Sequence, residues 1–379
     1  MTEYRSPLRT VRAFHLALTL GGFTAAGPAL SAQAAQWQLT RVSRLRVPAE
    51  ISRVRTPSLL PDGRFLILDA RAPFLHVLSR DGRIVRSFVA AGGGPGRASN
   101  PIGAGVFAGQ IWLWDSGNGR MTYFDFEGSA RREFPLRFNG SIVPLGPNRF
   151  MTAPFVGFGP SPASRPRTVL GIVDSTGAPR GQVVAFDDPA PQIEIRRSNG
   201  AMSVGGQPYM RAAVKIYYPY GNGVVIAFPQ VEVRAGTTSF RLIRADQDGK
   251  PQFDGWVPIP GIPLTEEHIT AAVKFYTTSE DANDAGFASR VRAAIQRPKF
   301  LPAFSVGLTG LRGEVWLREF TLGREGGRWF VVSAAGTIVG RVTMPAGEQL
   351  ISILPDGGVL ASGEDADGEP TLTRYQVVR

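Results

Sequence analysis

The chain has 379 residues, 43% of them hydrophobic, with 45 glycines, 30 prolines, no cysteine and a formal net charge of +11. That apolar content supports a packed core, and the glycine and proline content favours many short strands over long helices. The missing cysteines exclude disulfides, thiol catalysis, cysteine–zinc sites and a lipid anchor on an N-terminal cysteine.

Residues 1–34 read as an export signal. Arg5, Arg9 and Arg12 give a basic start, the apolar stretch "AFHLALTLGGFTAAGPAL" follows, and Ala32-Gln33-Ala34 offers small residues for cleavage. Gly21, Gly22, Gly27 and Pro28 interrupt the stretch too often for a good membrane span. No later run reaches about 18 apolar residues, so residues 35–379 are expected to carry no transmembrane span and to be periplasmic or secreted. Export also argues against nucleic acid as a partner. Of the 42 basic residues 38 are arginine, and no run of five or more occurs.

Two segments then align without gaps. "GRFLILDARAPFLHVLSRDG" runs from Gly63 to Gly82 and "GQIWLWDSGNGRMTYFDFEG" from Gly109 to Gly128. In each, glycine opens an apolar strand that ends at an aspartate, Asp69 or Asp115, whose side chain can bond its own turn. A second strand follows, then an acidic residue and glycine that suit a tight hairpin turn. The runs "FLIL" and "IWLW" are apolar on both faces, as a strand sandwiched between neighbouring sheets requires. With a lead-in strand, each unit holds four strands in about 40 to 50 residues, the period of propeller blades.

Weaker copies continue through "NRFMTAPF" and "TVLGIVDSTG", "GNGVVIAF" and "SFRLIRADQDG", "GEVWLREF" and "RWFVVSAAG", and "GGVLASGE" and "TLTRYQVV". The last copy is one strand short, and "QWQLTRVSRLRV" after the signal is a lone strand. The expected architecture is therefore all-β: a six-bladed β-propeller whose N-terminal strand closes the last blade and removes two open edges. Two stretches exceed the repeat, Gly177 to Gly249 at 72 residues and Gly249 to Gly336 at 87, and the second is helical in pattern. Thr265 can cap a helix "EEHITAAVKFY" and Ser279 a second, "EDANDAGFASRVRAAIQ", which Pro298 stops. This helical insertion, about 263–299, is either a cover for a blade edge or a lid.

The loop "AAGGGPGRASNP", Ala90 to Pro101, joins the first two units. It lacks the Gly-Lys-Ser/Thr ending of a phosphate loop, no helix pattern follows, and no βαβ unit surrounds it. It reads as a hinge, and Gly94→Val is expected to harm folding. With the units around it, the loop resembles the NHL-type six-bladed propellers of exported bacterial proteins. Gly92, Gly94, Pro95, Gly96 and Pro101 match the G-x-G-P-G-E-F-x-x-P pattern between blades, while Arg97 and Ala98 replace its glutamate and phenylalanine. The resemblance covers residues 37–379 and implies a fold, not an activity, because propellers host enzymes, sensors and scaffolds. Some members are metal-dependent lyases that lean on several histidines; beyond His15 in the signal this chain has only His76 and His268.

His76 lies mid-strand and reads as a core or edge histidine, and His268 as a solvated residue of the first helical turn. The cluster "EDANDAG" fails the EF-hand pattern at Ala285 and Arg292, and "EDADGE" reads as a hairpin turn. No Gly-x-Ser-x-Gly elbow occurs. Catalytic residues stay unknown, no cofactor is expected, and calcium held by channel carboxylates, as in lactonase-like propellers, stays open. A ligand is expected at the mouth of the central channel, where Arg97, Asn100, Arg211, Lys215, Tyr217 and Lys299 are the candidate lining. The favoured reading is a monomeric binding or interaction module at the cell envelope, for a protein or an anionic envelope ligand. The alternative is a divalent-cation-dependent hydrolase or lyase with its site in the channel.

Overall fold

The computed structural model describes residues 34–136, 138, 140–146, 148–154, 168–186, 192–217, 223–277, 284, 286–310, 312–322 and 327–379. The signal segment up to Gln33 and the expected cap Ser279 lie outside the described residues.

Strands buried on both faces organise the molecule. Phe65–Leu68 is buried throughout, and so is Gln110–Asp115 after its first residue. Each is the second strand of a four-stranded antiparallel sheet. Blade one is Arg55–Leu59, Phe65–Leu68, Leu75–Leu78 and Ile84–Phe88; blade two is Pro101–Phe107, Gln110–Asp115, Arg120–Phe124 and Ala130–Pro135. Blade three is Gly140–Gly146, Arg149–Pro154, Thr168–Asp174 and Pro179–Phe186. Blade four is Val214–Tyr217, Gly223–Ala227, Thr237–Asp246 and Pro251–Pro258, with a short extra strand Glu232–Arg234 beside its third. Blade five is Phe304–Thr309, Val315–Glu319, Arg328–Val332 and Ile338–Thr343. Blade six is Gln349–Ile353, Val359–Glu364 and Pro370–Val378, completed from the other end of the chain. The acidic–glycine turns fall between third and fourth strands, where Gly82 and Gly128 hold φ of 89° and 83°.

The hydrophobic cores lie between blades, and following them traces a closed ring. Leu66 and Phe74 meet Ile111 and Phe124 between blades one and two; Trp114 and Tyr123 meet Ile142 and Phe150 at the next seam. Leu170 and Ile172 pack on Val224 and Ile226, and Phe240 and Leu242 on Phe304 and Phe330. Trp316 and Val331 pack on Leu350 and Tyr375, and Leu360 and Leu372 return to Phe65 and Ile67 of blade one.

The N-terminal residues clasp this ring twice. Strand β1, Ala35–Gln36, pairs in parallel with Ile338–Thr343 of blade five. Strand β2, Gln38–Arg46, pairs antiparallel with Pro370–Val378 from Gln38↔Val378 to Arg46↔Thr371, supplying the missing strand of blade six. The sequence pointed to the second clasp but not the first. Trp37 joins them: it is 6% exposed, its N–H donates to the Arg341 carbonyl at 2.8 Å, and its ring meets Trp316 edge-on at 5.7 Å. A Cβ added at Gly340 would come within 2.2 Å of that ring, so the glycine makes room for it.

Helix α1, Glu266–Tyr276, forms where expected, but α2 is shorter than expected: it spans Phe287–Ala294, because Gly286 in the left-handed region stands at its N-cap, with no side-chain cap. Thr265 caps α1, and His268 completes the capping box in place of the usual glutamate, accepting from the Thr265 N–H at 3.1 Å. The long spacing from Gly177 to Gly249 marks a second insertion, which takes the form of a hairpin, Gln192–Arg196 and Met202–Gly206, between blades three and four. Its Ile193 and Ile195 share one core with Ile269, Phe287 and Val291 of the helices. Buried Gln207 donates to the Ala294 carbonyl at 2.9 Å and accepts from the Gln296 N–H at 2.9 Å, so the two insertions form one unit. That unit packs on Phe320 and Leu322 of blade five.

Trp37→Ala is expected to destabilise the protein by about 3–5 kcal/mol in urea unfolding. Deleting residues 36–47 is expected to abolish the single cooperative transition; a truncation that melts unchanged would show that the ring closes without these strands.

Candidate functional site

The repeated aspartates are the first functional candidates, and protein donors already satisfy them. Asp69 is 1% exposed and accepts from the Ser52 N–H at 2.9 Å, the Ser52 hydroxyl at 2.5 Å, and the Arg53 and Ala70 N–H groups at 2.8 and 2.5 Å. Asp115, also 1% exposed, accepts from the N–H groups of Ser99, Asn100 and Gly117 and from the Asn118 amide. Each aspartate bonds its own turn, as expected, and also ties the incoming blade-to-blade segment to the end of the second strand. Burial works against the charged form of Asp69, but these donors outweigh it and hold its pKa below the ordinary carboxylate value. His76 is 2% exposed, with Nδ1 2.7 Å from the Ser87 hydroxyl and Nε2 3.6 Å from the Asp69 carboxylate. Burial pushes its pKa down against the pull of Asp69, which keeps the ring neutral at pH 7.

The glycine loop has the reverse polarity of a phosphate cradle. Arg120 points into it and donates to the carbonyls of Gly93 at 3.1 Å, Gly94 at 2.6 Å and Arg97. The Asn118 amide donates to the Gly92 carbonyl at 3.0 Å. A phosphate loop aims N–H groups at an anion; this loop aims carbonyls at a guanidinium, itself paired with Glu133 at 3.0 Å. The positions that need glycine are Gly92 and Gly96, with φ of 139° and 64°. Gly94 does not share that conformation, and a Cβ there would make only ordinary contacts. Ala98, fully buried where the resembling pattern has phenylalanine, sits in a core that Phe74, Phe88 and Phe124 fill.

The six expected ligand residues divide across the ring. Arg97 and Asn100 lie in the loop between blades one and two. Arg97 is exposed and reaches the Ala91 carbonyl at 3.3 Å; the Asn100 amide is engaged with the Ser116 hydroxyl at 3.0 Å. Arg211 leads into the first strand of blade four, which carries Lys215 and Tyr217. The Lys215 ammonium lies 5.7 Å from the centre of the Phe186 ring. Lys299 is exposed in the segment after α2, its ammonium 5.4 Å from the Phe300 ring centre. Arg211 and Lys215 belong to the entry into blade four, where Lys215 meets Phe186 of blade three, whereas Arg97 and Asn100 lie between blades one and two, elsewhere on the ring.

At the seam between blades four and five Arg211 has a neighbour that sequence reasoning missed. Arg318, on the second strand of blade five, donates from Nε to the Ser305 hydroxyl at 3.2 Å on the adjoining inner strand. Burial first, and the positive charge of Arg211 second, hold the Arg318 guanidinium below its ordinary pKa. Arg211 also acts on Tyr276 at the end of α1, whose hydroxyl burial pushes up and Arg211 pulls down. Among the described residues neither arginine has a carboxylate partner. The charge of exposed Arg211 thus acts both on Arg318 of blade five and on Tyr276 of the insertion. No spacing in "VWLREF" marks Arg318, because its partner is about a hundred positions away in the chain. Other carboxylates are taken: Glu319 by Arg328 at 3.0 Å and by Arg341, and Asp365 and Asp367 by Arg46 at 2.6 and 3.0 Å.

Arg120→Ala is expected to cost on the order of 2–3 kcal/mol in urea unfolding, because the loop carbonyls lose a charged donor. The Asp69 contribution has a pH signature. A carboxylate whose folded pKa is depressed stabilises above its unfolded value of about 4, and that stability is lost as pH falls through the folded pKa. The stability gap between wild type and Asp69→Asn is expected to be full at pH 6 and to shrink below about pH 4; a gap independent of pH would refute the assignment.

No family profile and no curated protein matches the chain. Solved structures do. A member of the DUF4221 family from Bacteroides vulgatus is 10% identical over 91% of this chain and 99% of its own, with a TM-score of 0.55. A protein from Bacteroides fragilis named as exported is 12% identical over 93% of this chain and 98% of its own, at 0.49. A gluconolactonase from Xanthomonas campestris is 13% identical over 93% and 98%, at 0.44. At such identities the likeness establishes architecture alone. The chain is a six-bladed β-propeller, an architecture it shares with the DUF4221 family member from Bacteroides vulgatus.

Proposed function

We propose that this chain is an exported propeller that binds an anionic ligand at the channel mouth between blades four and five. The observation that carries this reading is the pair Arg211 and Arg318, which repel one another with no carboxylate between them among the described residues. Like charges held together are costly, and a bound carboxylate or phosphate relieves that cost through charge-assisted, bidentate hydrogen bonds. Ser305 adds a hydroxyl beside Arg318. Lys215, on the first strand of blade four that Arg211 leads into, adds a third positive charge nearby in the chain. Export is supported by the basic, apolar and small-residue order of residues 1–34 and by the absence of cysteine. The finer kinship, to NHL-type propellers, rests on the glycine loop.

Calorimetric titration of the full chain with inorganic phosphate and with citrate tests the site. Arg318→Gln and Arg211→Gln are each expected to weaken binding by about 10- to 100-fold, the worth of one charged hydrogen-bonding group. Arg97→Gln, elsewhere on the ring, is expected to leave it unchanged. Wild-type protein that binds neither anion, or Arg211 and Arg318 variants that bind as well as wild type, would overturn the proposal. Calcium-dependent turnover of a lactone would replace it with the catalytic alternative.

A further inference from the structure

A second site lies on the opposite face. The first strand of each blade leaves the face that bears the insertion, so the turns between first and second strands open on the other side. There a cavity of about 650 Å³ runs along the seam between blades six and one. That volume is in the usual range for small-molecule pockets, roughly 300–1,000 Å³.

Its apolar wall is formed by Val42, Leu59, Val106 and Pro355, and its polar rim by Arg80, Arg374 and Asp356. Val42 is the extra residue of a bulge in β2: Arg41 pairs with Tyr375 and Ser43 with Arg374, leaving Val42 without a partner. It is 55% exposed, a β-branched apolar side chain turned out of the sheet. Bulges re-aim side chains beside binding sites. On the rim, Arg374 is neutralised by Asp356. Among the described residues Arg80 makes no ion pair: its Nε donates to the Asp62 backbone carbonyl at 3.0 Å, while the nearby Asp62 carboxylate pairs with Arg64 at 2.7 Å and leaves one positive charge in excess across the three. A smaller cavity lined by Leu59, Val106 and Pro355 continues the slot inwards. The slot therefore offers a long apolar wall and one surplus cation at its rim.

We propose that this seam binds a small amphipathic anion, an alkyl chain with a single carboxylate or phosphate head, the chain along Val42, Leu59 and Pro355 and the head on Arg80. The walls come from both ends of the polypeptide, β2 and Pro370–Val378, together with blade one. The site exists only in the closed ring, so occupancy stabilises the closure by mass action. This proposal is independent of the Arg211–Arg318 site.

Octyl phosphate below its micelle concentration is the probe, with octanol and inorganic phosphate as controls, on the full chain. Octyl phosphate is expected to raise the melting temperature saturably and to bind at least about 10-fold more tightly than either control, since head and chain both contribute. Val42→Asp, at an exposed position, and Arg80→Gln are each expected to weaken it by about 10-fold or more, while Arg211→Gln leaves it unchanged. Equal binding of octanol or of inorganic phosphate would overturn the proposal. So would undiminished affinity in Val42→Asp, or loss of affinity in Arg211→Gln, which would place the ligand on the other face.

Discussion

A circular stack of sheets has no end, and that constraint organises the rest of the molecule. Each sheet buries both faces against its neighbours, so the array is stable only when the last sheet meets the first. Here that meeting is made by β2 lying along Pro370–Val378, and by Trp37 fixed over Gly340 of the preceding blade. Residues 35–46 and Pro370–Val378 are therefore integral to the ring. The N-terminal segment spans two sheets, so it completes blade six and also ties that blade to blade five.

Much of this architecture is legible in the sequence because it is local and repeated. The spacing from Gly63 to Asp69 and from Gly109 to Asp115 reports a strand of fixed length ending in a carboxylate. The structure shows why that carboxylate recurs: it bonds the backbone of the segment arriving from the previous blade. The helix α1 was legible for the same reason, since a cap and a first turn sit within a few residues of each other. The excess length between Gly177 and Gly249 was legible too, but its form as the hairpin Gln192–Arg196 and Met202–Gly206 was not. Its short alternating strands resemble those of any blade, and only its partnership with α1 and α2 sets it apart.

The candidate sites were less legible, for a related reason. Arg211 could be picked out because it precedes an inner strand. Arg318 could not, because its significance is the proximity of another arginine from a different blade. The same limit applies to the glycine loop. Its composition suits a hinge or an anion cradle equally, and the distinction lies in whether carbonyls or N–H groups point inward. Arg120, two strands away, decides it by drawing the carbonyls toward itself.

The union of the two insertions has a topological consequence. One precedes blade four in the chain and the other follows it, yet Gln207 and the Ile193–Phe287 core join them. Blade four is thus the content of a noncovalent loop whose neck is that junction. For its strands to peel away from the ring as a unit, the neck must first come undone. Hydrogen exchange along Thr237–Asp246 and along α2 should then report a shared opening event, with the small subdomain acting as the latch for the sheet it brackets.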